Sequence, residues 1–136
     1  MRVLLIEPPF QRFTGLKCDW FPLGLGYVAS ALRSRGFCVR IYNAEFHTKP
    51  QYLRYAKMLD RSQNYCNALE DEDHPIWLEV RDVIESFCPD VVGLTVKTPK
   101  LNSARRIAEI CKSIDEGIVV VAGGPHPTVL PEEVIG

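Results

Sequence analysis

The sequence predicts an α/β domain with a doubly wound parallel sheet, three layers deep as α/β/α. Three observations predict it. The segments Arg2–Ile6, Val91–Val96 and Ile118–Ala122 are short, continuous apolar runs, the pattern of parallel strands rather than of alternating, half-wet ones. Between them lie segments with apolar residues at a 3.6-residue period, the pattern of amphipathic helices. And Gly123-Gly124-Pro125-His126-Pro127-Thr128 follows the last run directly, so two glycines and two prolines sit at the carboxyl end of a strand, where open parallel sheets bind ligands.

In chain order, the first strand is Arg2–Ile6. A long loop, Glu7–Phe21, follows, with Pro8, Pro9, Phe10, Phe13, Trp20 and Phe21; loops of this length in compact domains are commonly functional. Leu25, Val28, Ala29 and Leu32 then form one apolar stripe, with Pro22 ahead of the helix and Gly36 past its end. The second strand is Cys38–Tyr42. Phe46–His74 reads as an insert rich in charge and tyrosine, with Tyr52, Tyr55, Ala56 and Leu59 marking one helix inside it. Ile76, Val80, Val83, Ile84 and Phe87 form the next stripe, between Pro75 and Pro89. After the third strand, Thr98-Pro99 reads as an N-cap followed by proline, opening a helix with Leu101, Ala104, Ile107, Ala108 and Cys111 on one face. The order β-α-β-insert-α-β-α-β implies right-handed crossovers. Pro131–Ile135 reads as the start of another helix. A further helix and a last edge strand are expected beyond Gly136, and an edge left open offers a route to self-association.

At 136 residues the chain has the length of one domain. Its 16 basic and 17 acidic residues give a net charge of -1, which provides neither the basic face that nucleic acid requires nor a polybasic membrane signature. The apolar run before Glu7 is too short for a signal peptide or a spanning helix, so a cytoplasmic protein is expected. The five cysteines, Cys18, Cys38, Cys66, Cys88 and Cys111, are widely spaced; they form no zinc or iron–sulfur motif and read as reduced, packed thiols.

Three loops leave the carboxyl ends of strands: Glu7–Phe21, Lys97–Lys100 and Gly123–Pro131. They are remote in sequence and should converge on one edge. Gly123 and Gly124 allow close approach of a flat ligand to backbone, and Pro125 stiffens the turn. Thr95 and Thr98 offer hydroxyls at the end of the third strand. His126 reads as a structural residue rather than a metal ligand, and His47 and His74 read as surface residues. Gly24-Leu25-Gly26-Tyr27-Val28-Ala29 fits a dinucleotide fingerprint, with Glu45 at the spacing of a ribose-binding acid. That fingerprint should open directly after the first strand, yet residues 7–23 intervene. No nucleophile–base pair emerges, so the domain alone is expected to be non-catalytic.

Several stretches together resemble a known family. Glu7-Pro8-Pro9 and Phe21-Pro22-Leu23-Gly24-Leu25-Gly26-Tyr27-Val28-Ala29, then Pro89-Asp90-Val91-Val92-Gly93-Leu94-Thr95, and Val119 to Thr128 with its Gly-Gly-Pro-His-Pro-Thr end, resemble the cobalamin (B12)-binding domains that precede radical SAM domains. The resemblance covers nearly all of the chain except the 46–74 insert. It implies a flavodoxin-like, Rossmann-like domain over residues 1–136 that holds cobalamin at its carboxyl edge. Thr95, Gly123 and Gly124, with Thr98 and Pro125, would line the cleft for the nucleotide tail, and Pro9, Phe10 and Leu23 would face the lower side of the corrin. No metal ligand is expected from the chain itself. The Asp-x-His-x-x-Gly motif of the methionine synthase and mutase type is absent, and no histidine precedes His47; the first loop therefore has no imidazole to offer cobalt. No Cys-x-x-x-Cys-x-x-Cys motif is present either. The resemblance thus places S-adenosylmethionine and a [4Fe–4S] cluster in a radical SAM domain expected downstream, in a parent enzyme such as a methyltransferase or a ring- or carbon-skeleton-modifying enzyme. Two other readings stay open: a dinucleotide-binding enzyme domain using Gly24, Gly26 and Ala29, and a non-catalytic flavodoxin-like interaction module.

Overall fold

A computed structural model describes residues 1–15, 19–47 and 61–135. Strands β1 (Arg2–Glu7), β2 (Cys38–Asn43), β3 (Val91–Thr95) and β4 (Val119–Gly123) form one parallel sheet. The order is β2-β1-β3-β4, the doubly wound arrangement expected. The point where strand order reverses lies between β1 and β3. The helices are α1 (Gln11–Thr14), α2 (Leu23–Arg33), α3 (Ser62–Glu70), α4 (Pro75–Phe87), α5 (Leu101–Ile114), α6 (Pro125–Val129) and α7 (Glu132–Ile135).

Strand side chains alternate between faces, and the two faces are packed unequally. On one face Leu4, Ile6, Val92 and Leu94 meet Trp77, Val80 and Ile84 of α4 and Ala104, Ile107 and Ile110 of α5. On the other, Val3, Leu5 and Val39 meet Leu25 and Ala29 of α2. That second core ends at β1 and β2. The β3–β4 half of the face stays open, so Val119 and Val121 are about half exposed, at 53% and 52%, and Val91, Gly93 and Thr95 are half-buried. The continuous runs of β3 and β4 had predicted burial on both faces. An apolar run marks a strand without saying whether a helix covers it.

The insert also departs from expectation. Its α3 is part of the core. Tyr65 and Ala68 are buried, and the Trp77 indole N–H donates to the Ala68 carbonyl at 2.6 Å. The helix expected around Tyr52–Leu59 lies outside the described residues. His74 is half-buried rather than fully exposed. Its ring caps α4 by accepting from the Ile76 N–H at 3.2 Å, it packs edge-on against Phe13, and burial lowers its pKa. Nor does the Thr98 hydroxyl cap α5. Thr98–Lys100 forms a 3₁₀ turn ahead of that helix, and the hydroxyl lies 3.2 Å from His126 Nδ1.

Burial makes Cys111 differ from the other described cysteines. Its thiol is fully buried and pushed up to about 11, whereas Cys38, Cys66 and Cys88 are exposed. The thiolate is the reactive form. Iodoacetamide at pH 8 should therefore label those three in native protein and leave Cys111 unmodified until urea is added, as read by peptide mass spectrometry.

Candidate functional site

The carboxyl ends of the strands carry a buried charge cluster. Glu7 ends β1, Glu45 follows β2, and Lys100 precedes α5; none is more than 4% exposed. Lys100 Nζ lies 2.5 Å from Glu7 Oε1 and 2.8 Å from Glu45 Oε1. Lys97 Nζ approaches Glu7 from the solvent side at 3.5 Å and sits 4.7 Å from the Trp20 ring centroid, a cation–π distance. Buried charges persist only when paired and hydrogen-bonded. Glu45 meets that demand twice over, because it also accepts from the backbone N–H groups of Gln11 and Arg12 at 3.1 and 3.0 Å. It thereby pins the start of α1 beneath the end of β2.

The first loop is fixed by further bonds. Pro8 and Pro9 are fully buried, and the Pro9 carbonyl accepts from Ser103 Oγ at 2.5 Å. The Ser103 N–H donates to the Tyr65 hydroxyl at 3.2 Å, and the Phe10 ring meets Tyr65 edge-on at 4.9 Å. Asn43 holds the far end of the loop by donating to the Trp20 carbonyl at 3.0 Å. Arg12 forms a bidentate pair with Glu79 of α4, at 3.0 and 2.5 Å, and Tyr42 donates to the same carboxylate at 2.6 Å. Hydrogen bonding from Arg12 holds the Glu79 carboxyl below the usual carboxylate range, while burial raises the Tyr42 phenol.

Beside this cluster, on the open half of the sheet, lies a groove of about 420 Å³. Its floor is Val91, Gly93 and Thr95 of β3 with Val121 and Gly123 of β4, and its wall is Gly24, Leu25 and Val28 of α2. Register places Thr95 against Gly123 at the mouth. Glycine is required at one position here. Gly124 has φ +105°, and a Cβ there would meet Val96 O at 3.0 Å and Thr95 Oγ1 at 3.2 Å. At Gly93, a Cβ would fall 2.7 Å from Leu5 Cδ2, the movable end of a side chain. Gly123 has open space where its side chain would be.

Of the residues expected to line a site, Thr95, Gly123 and Gly124 come together in this groove. Pro125 is exposed at the start of α6, and Thr98 is exposed with its hydroxyl engaged by His126. Leu23 is exposed at the start of α2. Pro9 and Phe10 pack with Ser103 and Tyr65 of α5 and α3. Gly24 and Gly26 are helical residues of α2, with Phe21 packed on Gly26, and the Glu45 carboxylate is spent on Lys100 and two backbone N–H groups. The fingerprint glycines therefore lie within a helix rather than in a strand-to-helix turn, and the acid at ribose spacing is committed to other partners. Reading the sequence missed Gly93, Val28 and Lys100. A glycine inside a strand is a signal of close approach that could have found Gly93. Nothing local marks Lys100 as buried.

A parallel sheet with an apolar groove along one face, reaching the carboxyl ends of β3 and β4 at Thr95, Gly123 and Gly124, places a concave surface near the usual ligand edge of an open α/β sheet. Comparison with known proteins narrows the class. The B12 binding domain family matches residues 14–136, and the chain belongs to that family. It is 32% identical over 97% of its length to an uncharacterized methyltransferase of Pyrococcus horikoshii. It is 29% identical over 99% to an anaerobic magnesium-protoporphyrin IX monomethyl ester cyclase of Rubrivivax gelatinosus, and 28% identical over 96% to a cytidylyl-2-hydroxyethylphosphonate methyltransferase of Streptomyces wedmorensis. The chain spans only 23%, 20% and 23% of those proteins. No solved structure matches it. Among the described residues no helix is long and apolar enough to cross a membrane, and no group of three or more His, Cys, Asp or Glu is placed to hold a metal ion.

Two outcomes are expected of the charge network. Lys100→Met should lower unfolding free energy by about 3–5 kcal/mol, the cost of stranding buried carboxylates, measured by urea denaturation at pH 7. Glu79, depressed in the folded state, contributes stability above the unfolded carboxyl pKa and loses it as pH falls through the folded value. The side chain is 43% exposed, so solvent screening limits this to about 1 kcal/mol or less. Glu79→Gln should therefore flatten the fall in urea midpoint between neutral and acidic pH.

Proposed function

We infer that the chain is the cobalamin-holding module of a B12-dependent radical SAM enzyme and that it holds the cofactor without a histidine from the first loop. The observation that carries the reading is the groove mouth. The paired Thr95 and Gly123, with Gly124 at a φ that favours glycine, open a narrow apolar slot beside the strand ends, in a chain of the B12 binding domain family. The slot suits a nucleotide tail. Apolar walls accept a flat aromatic base, the missing Cβ atoms leave room against backbone, and the Thr95 hydroxyl offers one polar contact. Thr95, Gly123 and Gly124 would hold the tail. Leu23 and Trp20, exposed beside the same edge, are available to the ring. When bound, cobalamin supplies a cobalt centre able to carry a methyl group or take part in one-electron chemistry.

The larger size of the curated relatives supports further domains in cis. The resemblance to modules preceding radical SAM domains supplies the expected S-adenosylmethionine and [4Fe–4S] cluster, which belong to such a domain and not to this chain. Two of the relatives are named methyltransferases, so methyl transfer is the proposed reaction class for the parent protein.

Hydroxocobalamin mixed with the protein should co-elute on gel filtration with its visible absorption; a colourless protein peak overturns the reading. Gly123→Leu gives the sharper test. Its side chain would enter open space in the groove, and its backbone is outside the positive-φ set. It should abolish co-elution while leaving the melting temperature within about 2 °C, as a surface substitution does.

A further inference from the structure

The turn after β4 carries a group that cofactor contact does not use. The His126 side chain is 1% exposed, and a histidine that deep is expected to spend its ring nitrogens on partners. Nδ1 lies 3.2 Å from Thr98 Oγ1. Nε2 faces Glu133 Oε2 of α7 at 3.4 Å, short of hydrogen-bond geometry. The His126 backbone N–H donates to the Val96 carbonyl at 3.1 Å, and the Val96 N–H donates to the Gly123 carbonyl at 2.7 Å. One residue thus touches the loop after β3, the turn after β4 and the helix that follows.

Those backbone bonds pin the β3 loop only at Val96. Lys97, Thr98 and Pro99 are exposed beyond it, and Lys100 re-enters the core to meet Glu7 and Glu45. The Thr98–His126 contact is the side-chain tie across this stretch. It holds the loop against the turn that carries Gly123 and Gly124, and so adds a side-chain tie to the strand pairing and backbone bonds that hold Thr95 and Gly124 at the groove mouth.

We propose that His126 is the positioning residue of the groove mouth, tying the Val96–Lys100 loop to the Gly123–Gly124 turn so that the slot is preformed for its ligand. The inference rests on the cobalamin-holding reading. The His126 side chain is too deeply buried to meet a ligand directly. Its contribution is the entropy that a loose mouth would lose on binding.

The test is equilibrium dialysis of hydroxocobalamin against the full-length protein and its variants, alongside thermal unfolding. His126→Leu should weaken binding about tenfold, the upper range for one lost neutral hydrogen bond. His126→Asn keeps a polar atom close to the place of Nδ1 and should recover most of that loss. Thr98→Val, at an exposed position that tolerates change, should weaken binding in the same direction and carries the test if His126→Leu does not fold. The double variant should bind no more weakly than His126→Leu alone, because both remove one contact. Variants that melt earlier yet bind like wild type at low temperature would overturn the inference while the cofactor reading stands. Wild-type protein that retains no hydroxocobalamin would overturn both.

Discussion

Lys100 places one ammonium group between the carboxylates of Glu7 and Glu45 beneath the strand ends, and much of the site depends on that bridge. Glu7 closes β1, Glu45 follows β2, and Lys100 introduces α5 after β3. Three chain segments are therefore tied at one point by charge rather than by apolar packing. The desolvation of the ions is offset only while all three stay in place, because a partner lost leaves an unpaired charge in the core. The Glu45 carboxylate also binds the first N–H groups of α1, so the same cluster sets where the first loop begins to turn. Lys97 and Trp20 cover it from outside.

With the strand ends held in this way, the two faces of the sheet can differ. The face against α4 and α5 is covered over β1 and β3, with α3 from the insert adding to the cover. The face against α2 is closed over β1 and β2 and open over β3 and β4. The open half forms a groove rather than a bare surface because its floor is lowered by Gly93 and Gly123 while α2 stands along one side. Val28 belongs to the apolar stripe of α2, yet it is 47% exposed and lines this groove. A residue that looks like core in the sequence thereby becomes a wall of the candidate site.

The strands and the long helices were legible because their signals are local. Val80, Ile84 and Phe87 recur on one face of α4, and Pro75 and Gly36 mark boundaries through backbone constraints that hold in any context. The Gly123–Thr128 stretch was legible as a turn at the carboxyl end of a strand for the same reason. The dinucleotide fingerprint misled because glycine spacing carries meaning only when strand, turn and helix adjoin; here Gly24 and Gly26 are helical. Thr98 misled because a hydroxyl before a proline can cap a helix or bind elsewhere, and His126 was there to receive it. The insert's part in the core was not legible, because its charge content describes its exposed face while Tyr65 and Ala68 turn inward.

The sequence by itself determined the fold class, a glycine- and proline-rich turn at the carboxyl end of the last strand, the likeness to cobalamin-binding domains, and a first loop that contains no histidine. These follow from periodicity, backbone stereochemistry and residue identity, which do not depend on distant partners. Only the tertiary structure decided that Glu45 is consumed by Lys100, that Pro9 and Phe10 pack with Ser103 and Tyr65, and that half of one sheet face is left open as a groove. Each of these is a pairing between residues far apart in the chain. The free energy of such a pairing depends on distance and burial, and neither quantity exists until the chain has folded.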